Sequence, residues 1–321
     1  MLGVILLLQS LVLAIAGPAT SPEYLPLRVA EVEGLFVREG LNVLIRTTRA
    51  EPGAAEALVQ GQADLVATSL DAILRFGPRS VTQGPRLVFG LTAAPPVALL
   101  VPASQSSVVR SVNDLPGTRV GLSSQGAPEH MWFGWLLARA GLSMAQMWVV
   151  SYGSRGLIAA VQSGDVHSGL MHEPAASRLL AEGQARLLVD LRTPDAVADA
   201  VGRATLNAAV FVRADRRPRD RDLGAFARAV LAAERRIGAA SAVDLITRLP
   251  RRLVDDEFRD RLEATRGIYL PDGLVTADQI RETLALIRAH QPLPVTGRVP
   301  SPEELLHIEP LRRVLSAPAG R

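Results

Sequence analysis

Short apolar runs alternate along this chain with amphipathic stretches that stop at a glycine, and that alternation limits the fold more than any single motif. The run at 41–45 predicts a strand, 54–60 a helix stopped by Gly61, and 63–67 the next strand. Further strands are predicted at 87–91, 97–101, 118–122, 147–150, 169–171 and 186–190, and helices at 31–39, 128–140, 157–162 and 174–181. Gly40, Gly141 and Gly183 stand just past three of those helices, where a residue free to turn left-handed closes the last turn. Asn113-Asp114-Leu115-Pro116-Gly117 is turn chemistry. Strands alternating with helices imply parallel sheets with helices on both faces. From about residue 222 the pattern turns helical: Phe226, Val230 and Leu231 share a face, 278–289 is a second amphipathic helix, and the proline-rich 292–302 reads as a surface wrap.

A length of 321 residues is enough for two lobes of ordinary domain size. With 48% hydrophobic and 21% charged residues the chain is globular, and its many alanines and few aromatics suit aliphatic packing. The net charge is only +3, and Arg216, Arg217, Arg219 and Arg221 are interleaved with Asp215, Asp220 and Asp222. That pattern is a solvated loop and helix start, so no nucleic-acid partner is expected.

Two absences exclude whole classes of chemistry. Without cysteine there are no disulfides, thiolate metal sites or cysteine nucleophiles. Without lysine there is no Schiff-base chemistry, including that of pyridoxal phosphate enzymes of the usual kind. The five histidines show no paired helical spacing, so no metal and no cofactor are expected.

The first 16 residues are almost wholly apolar and admit two readings. Ala14-Ile15-Ala16 before Gly17 and Pro18 resembles a signal-peptide cleavage site, although no basic residue precedes the run. The alternative is a buried parallel strand at 11–16, which reads as a continuous apolar run because both its faces are covered. A weak internal echo links 55–64 with 158–167, each a small-residue helix, a Gln and Gly stop, and a strand entry.

The segment from Ser21-Pro22-Glu23-Tyr24 through Arg28-Val29-Ala30, with Glu33-Gly34-Leu35-Phe36 and Glu39-Gly40-Leu41-Asn42-Val43, resembles the opening of nitrate, sulfonate and taurine solute-binding proteins. It equally resembles their relatives that bind a thiamine pyrimidine precursor. The likeness continues through Ala57-Leu58, Gly61, Asp64, Asp114-Leu115-Pro116-Gly117, Val120-Gly121, Gly164-Asp165 and Glu173-Pro174. It covers roughly the first two thirds of the chain. It implies an α/β, two-lobed type II periplasmic binding fold, each lobe a mostly parallel sheet flanked by helices, with a helical C-terminal segment. On that basis 1–16 is the apolar N-terminal segment, 17–94 begins lobe 1, 95–212 forms lobe 2, and 213–321 returns to lobe 1. The resemblance also implies a monomeric, exported or periplasmic component of an ABC-type importer, with permease and ATPase partners in the membrane.

Ligands of open α/β sheets sit beyond the carboxyl ends of the strands, which directs attention to five loops. Ser123, Ser124, Gln125 and Gly126 precede Pro128 at a helix start; they offer an anion site or simple capping, and the resemblance favours ligand contact. Thr68, Ser69 and Asp71 follow a strand and either touch ligand or cap the next helix. Glu23 and Tyr24 lie in the first loop, where Tyr24 either stacks on a planar ligand or packs at the lobe edge. His172 and Glu173 end a strand, and Glu173 can accept hydrogen bonds from an amine or amide or serve as a helix-start carboxylate. Ser154 and Arg155 complete the set, with Arg155 either a clamp for carboxylate, sulfonate or phosphate or a surface arginine. Glu173→Ala and Ser124→Ala are therefore expected to weaken binding with little change in melting temperature. Trp132, Phe133 and Trp135 are expected in the core.

Three functions are weighed, of which the first is the one expected, and an enzyme is not expected. The first is solute capture for a permease, by hinge closure on a sulfonate, carboxylate or pyrimidine-like compound. The second is a small-molecule lyase or dehydratase on the same fold. The related pyrimidine synthases are excluded, because they need a lysine-bound cofactor and a cysteine-rich segment. The third is a ligand sensor that signals through a partner.

Overall fold

The computed structural model describes residues 10–123, 128–290, 293 and 298–317. Its ten strands are β1 (Ser10–Ile15), β2 (Asn42–Thr47), β3 (Leu65–Ser69), β4 (Pro85–Thr92), β5 (Val97–Pro102), β6 (Arg119–Leu122), β7 (Trp148–Ser151), β8 (Ser168–His172), β9 (Ala185–Asp190) and β10 (Ala208–Arg213). They form two five-stranded sheets, ordered β2-β1-β3-β10-β4 and β7-β6-β8-β5-β9. The fully buried strands β3, β5 and β10 are the continuous apolar runs of the sequence, as expected for strands covered on both faces.

The apolar N-terminus is a strand over the part described. β1 pairs in parallel with β2, from Ser10 opposite Asn42 to Ile15 opposite Thr47, and with β3 on its other side. Leu13 and Ile15 are completely buried there. Cleavage after Ala16 would remove a strand bonded on both edges. Residues 1–9 lie outside the described residues.

Each sheet contains one reversed strand, which the alternating pattern alone did not predict. β10 runs antiparallel to β3 and β4, and β5 runs antiparallel to β8 and β9. Each is the first strand after the chain crosses from the other lobe. The parallel strands end at the face between the lobes, so a chain arriving across that face must run away from it. β10 belongs to the first sheet, so the return occurs before residue 208 and not at 212.

The two crossings are bonded together. The Asn207 amide donates to the Thr92 carbonyl at 2.9 Å and its side chain to the Thr92 hydroxyl at 3.1 Å, while Thr205 donates to the Ala93 carbonyl at 3.2 Å. The helix Pro194–Val201, not anticipated from the sequence, precedes the return crossing. The helix expected at 31–39 is instead two, Leu25–Val32 and Leu35–Arg38, because Gly34 at φ +67° takes a conformation that no helix interior accepts.

The C-terminal helices do more than complete the first lobe. Helix Asp220–Ala239 stacks Phe226 on Phe36 with ring centroids 5.4 Å apart. Helix Ala277–His290 reaches the second lobe, where His290 meets Trp135 edge-on at 5.5 Å and Arg203 lies 5.0 Å over the Trp135 ring. Thr283 on the same helix accepts the Leu206 amide at 2.9 Å, so this helix braces the return crossing.

The helix Gly153–Ser163 packs closely on the second sheet. A Cβ on Gly121 would fall 2.4 Å from the Leu157 side chain and 3.3 Å from that of Val166, both fully packed. Gly121→Val is expected to destabilise the fold by about 1–3 kcal/mol, as overpacking does, and to push Leu157 toward the cleft. A thermal melt unchanged from wild type would contradict this.

Candidate ligand-binding site

A cavity of about 330 Å³ lies between the two sheets, within the size range of small-molecule sites. It is lined at the carboxyl ends of strands by Glu23 in the loop after β1, Ser123 after β6, Ser154 after β7, and His172 and Glu173 at the end of β8. Pro96 on the first crossing closes one side, and Glu257 and Arg261 of the C-terminal segment close another. The strand-end rule and the geometry therefore select the same region.

The second lobe contributes a buried carboxylate that sequence reasoning missed. Glu129, in the first turn of the helix Pro128–Arg139 and 4% exposed, receives the Ser123 hydroxyl and sits 3.2 Å from Nε2 of His172. Burial alone would raise its pKa, but the His172 and Ser123 hydrogen bonds hold it below the usual carboxylate value. Burial likewise pulls His172 down, yet the Glu129 bond and charge win, helped by Glu23 and Glu173, and the imidazole is raised above its ordinary value. The ring remains 40% exposed and lines the cavity.

The first lobe contributes Glu23, whose carboxylate accepts the Ser21 hydroxyl at 2.7 Å. The neighbouring Tyr24 points elsewhere. It is 2% exposed and donates to Glu51 at 2.6 Å. Glu51 also accepts the Ser69 amide at 2.6 Å and the Thr68 hydroxyl. Burial raises the Glu51 pKa, against the bonds from Thr68, Tyr24 and Ser69. Ser69 caps its helix by accepting the Ala72 amide at 3.2 Å. Asp71 is buried and pairs with Arg75 at 3.4 Å. Tyr24, Thr68, Ser69 and Asp71 thus support the first lobe behind the cavity and do not line it.

Of the other expected residues, Ser154 lines the cavity, whereas Arg155 is exposed on the helix Gly153–Ser163 and does not. Ser124, Gln125 and Gly126 lie outside the described residues. Trp132 and Phe133 are completely buried, as expected, and Trp135 is partly buried at the contact with His290.

Glu173 lines the cavity, but its carboxylate is committed to the protein. One oxygen accepts Arg192 at 3.0 Å and the Ser177 hydroxyl at 2.9 Å, the other accepts the Ser177 amide at 3.2 Å, and the side chain has no exposed surface. Bonds from Asp190 and then Glu173, against burial, hold Arg192 above its ordinary pKa. The two cavity residues of the C-terminal segment are also paired. Arg261 donates to Asp255 at 2.7 Å, and Glu257 accepts Arg178 at 2.7 Å across the gap between the lobes. Among the described residues no cluster of His, Asp and Glu is placed to hold a metal ion.

Two sheet-bearing lobes, joined by two bonded crossings, face each other across a cavity at the strand ends. The chain belongs to the NMT1/THI5-like family, whose model matches residues 21–202. No curated protein sequence matches it. Among solved structures it is similar to a protein of Bordetella bronchiseptica, at 23% identity and a TM-score of 0.72, with 95% of this chain and 96% of that one covered. It is also similar to the alkanesulfonate-binding protein SsuA of Xanthomonas axonopodis bound to MOPS, at 20% identity and a TM-score of 0.65, covering 93% and 98%. The periplasmic nitrate-binding protein NrtA of Synechocystis matches at 13% identity and a TM-score of 0.63, covering 98% and 90%. These likenesses show the periplasmic-binding-protein fold.

The Glu173 geometry reverses one expectation from sequence. Glu173→Ala leaves Ser177 and one Arg192 nitrogen without their buried partner, so the fold should lose about 1–3 kcal/mol. A thermal melt of the ligand-free variant checks this, and an unchanged midpoint would contradict the structural role.

Proposed function

We propose that this protein is the solute-capturing component of an ABC-type importer, and that its solute is a small pyrimidine-like amine. The observation that carries the reading is that Glu23 from the first lobe and His172 from the second line one cavity. A ligand touching both joins the lobes, and its binding energy then drives closure about the crossings. The occupied, closed form would be recognised by permease and ATPase subunits in the membrane. The protein would act as a monomer, exported or periplasmic. Among the described residues no helix is long and apolar enough to cross a membrane.

The charges favour a ligand that carries a hydrogen-bond donor. Glu23 accepts one hydroxyl and retains acceptor capacity toward the cavity. The lining arginine, Arg261, is paired with Asp255, and a sulfonate or carboxylate would face Glu23 without that arginine free to meet it. The site is read as binding without turnover, with the Ser123 hydroxyl held by Glu129 and not by His172.

A thermal-shift screen of aminopyrimidines, purines, sulfonates, nitrate and carboxylates tests this, because a ligand of the native state raises the midpoint with concentration. The aminopyrimidines should shift it and be recovered intact. Shifts by sulfonates alone would overturn the amine reading, and recovery of a converted product would establish an enzyme. Glu23→Gln should weaken the bound aminopyrimidine by about tenfold or more while leaving the melt of the free protein unchanged, since a charge-assisted bond is lost. Equal affinity in calorimetry would remove Glu23 from the site.

A further inference from the structure

We propose that His172 reads the acceptor end of the ligand, and that its positive charge, maintained by Glu129, makes ligand capture weaken as pH rises. The proposal rests on the binding reading above and goes beyond it by naming the group that recognises the ligand's acceptor.

The geometry divides the two ring nitrogens of His172. Nε2 faces the buried carboxylate of Glu129, which the Ser123 hydroxyl holds in place. No described residue is bonded to Nδ1, on a ring that lines the cavity. In the imidazolium both nitrogens are donors, so Nδ1 offers N–H to the ligand. In the neutral ring Glu129 retains the proton on Nε2, and Nδ1 becomes an acceptor. Loss of one proton therefore changes what the second lobe offers, from donor to acceptor, while the ring stays in place.

Charged groups reach that ring from several elements. Glu129 acts from the helix Pro128–Arg139 and Glu23 from the loop after β1. Glu173, from the end of β8, is offset by Arg192. Glu257 and Arg261 on the C-terminal side are each paired, with Arg178 and Asp255. The ring is held above its ordinary value, so the charged form is full below that value and is lost as pH climbs through the raised one.

The test uses the full chain and two probes, cytosine and methanesulfonate, each of which keeps one charge state from about pH 6 to 9. Calorimetry across that range should show wild-type affinity for the bound probe falling about tenfold or more, and the His172→Gln variant should show a flat profile. In the ligand-free protein, the His172 ring resonances should titrate above the ordinary histidine value, and Glu129→Gln should move them down. If cytosine fails at every pH while methanesulfonate binds with this profile, the amine reading fails and the role of His172 stands. Wild-type affinity independent of pH, binding of neither probe, or a His172 ring titrating at or below the ordinary value would each overturn the proposal.

Discussion

The structure depends on the chain crossing twice between its sheets, with the crossings fastened to each other. Asn207 bonds both the carbonyl and the hydroxyl of Thr92, and Thr205 bonds Ala93. These bonds bring the first sheet's outgoing and returning segments together at one edge of the cleft. The crossings, arriving at the face where the parallel strands end, leave β5 and β10 running against their neighbours. Helix Ala277–His290 braces the same region through Thr283 and Trp135, so the hinge is supported from outside as well as within. Under the proposed closure the lobes would rotate about this edge, and the strand ends that line the cavity would be the walls that open and close.

Those walls are electrostatically unlike. The first lobe presents a carboxylate, Glu23, and the second an imidazole, His172, in contact with the buried acid Glu129. Most other charged groups near the cavity are paired within the protein: Glu173 with Arg192, Arg261 with Asp255, and Glu257 with Arg178. The paired groups shape the cleft and brace its rim. Glu23 and His172 retain capacity to bond a guest, and the cleft can therefore discriminate by the pattern of donors and acceptors on a small molecule.

Much of the architecture was legible because it follows from local rules. Apolar runs gave nine strands their approximate places, and glycines such as Gly40 and Gly141 marked helix ends that they do close at positive φ. No strand was expected at β10, and the reversal of β5 and β10 was not legible, since an apolar run looks the same in either direction. The cleft loops were found from the strand-end rule, but not the direction of each side chain within them. Glu23 and Tyr24 are adjacent, yet one lines the cavity and the other is buried against Glu51. Glu129 carried a signal that passed unread: an acid in the first turn after Pro128 is as ordinary as any helix start. Only its contact with His172, distant in sequence, reveals a second role. Glu257 and Arg261 come from a helical tail with no motif, and nothing short of the fold places them at the cleft.

A solute that bridges Glu23 and His172 should draw the lobes together and leave unchanged. Small-angle X-ray scattering of the protein with and without a saturating ligand from the screen, followed by chemical recovery of that ligand, distinguishes the outcomes. Capture by closure gives a smaller radius of gyration in the complex and the intact compound on recovery. An unchanged radius at saturation, or a ligand recovered as product, would rule it out.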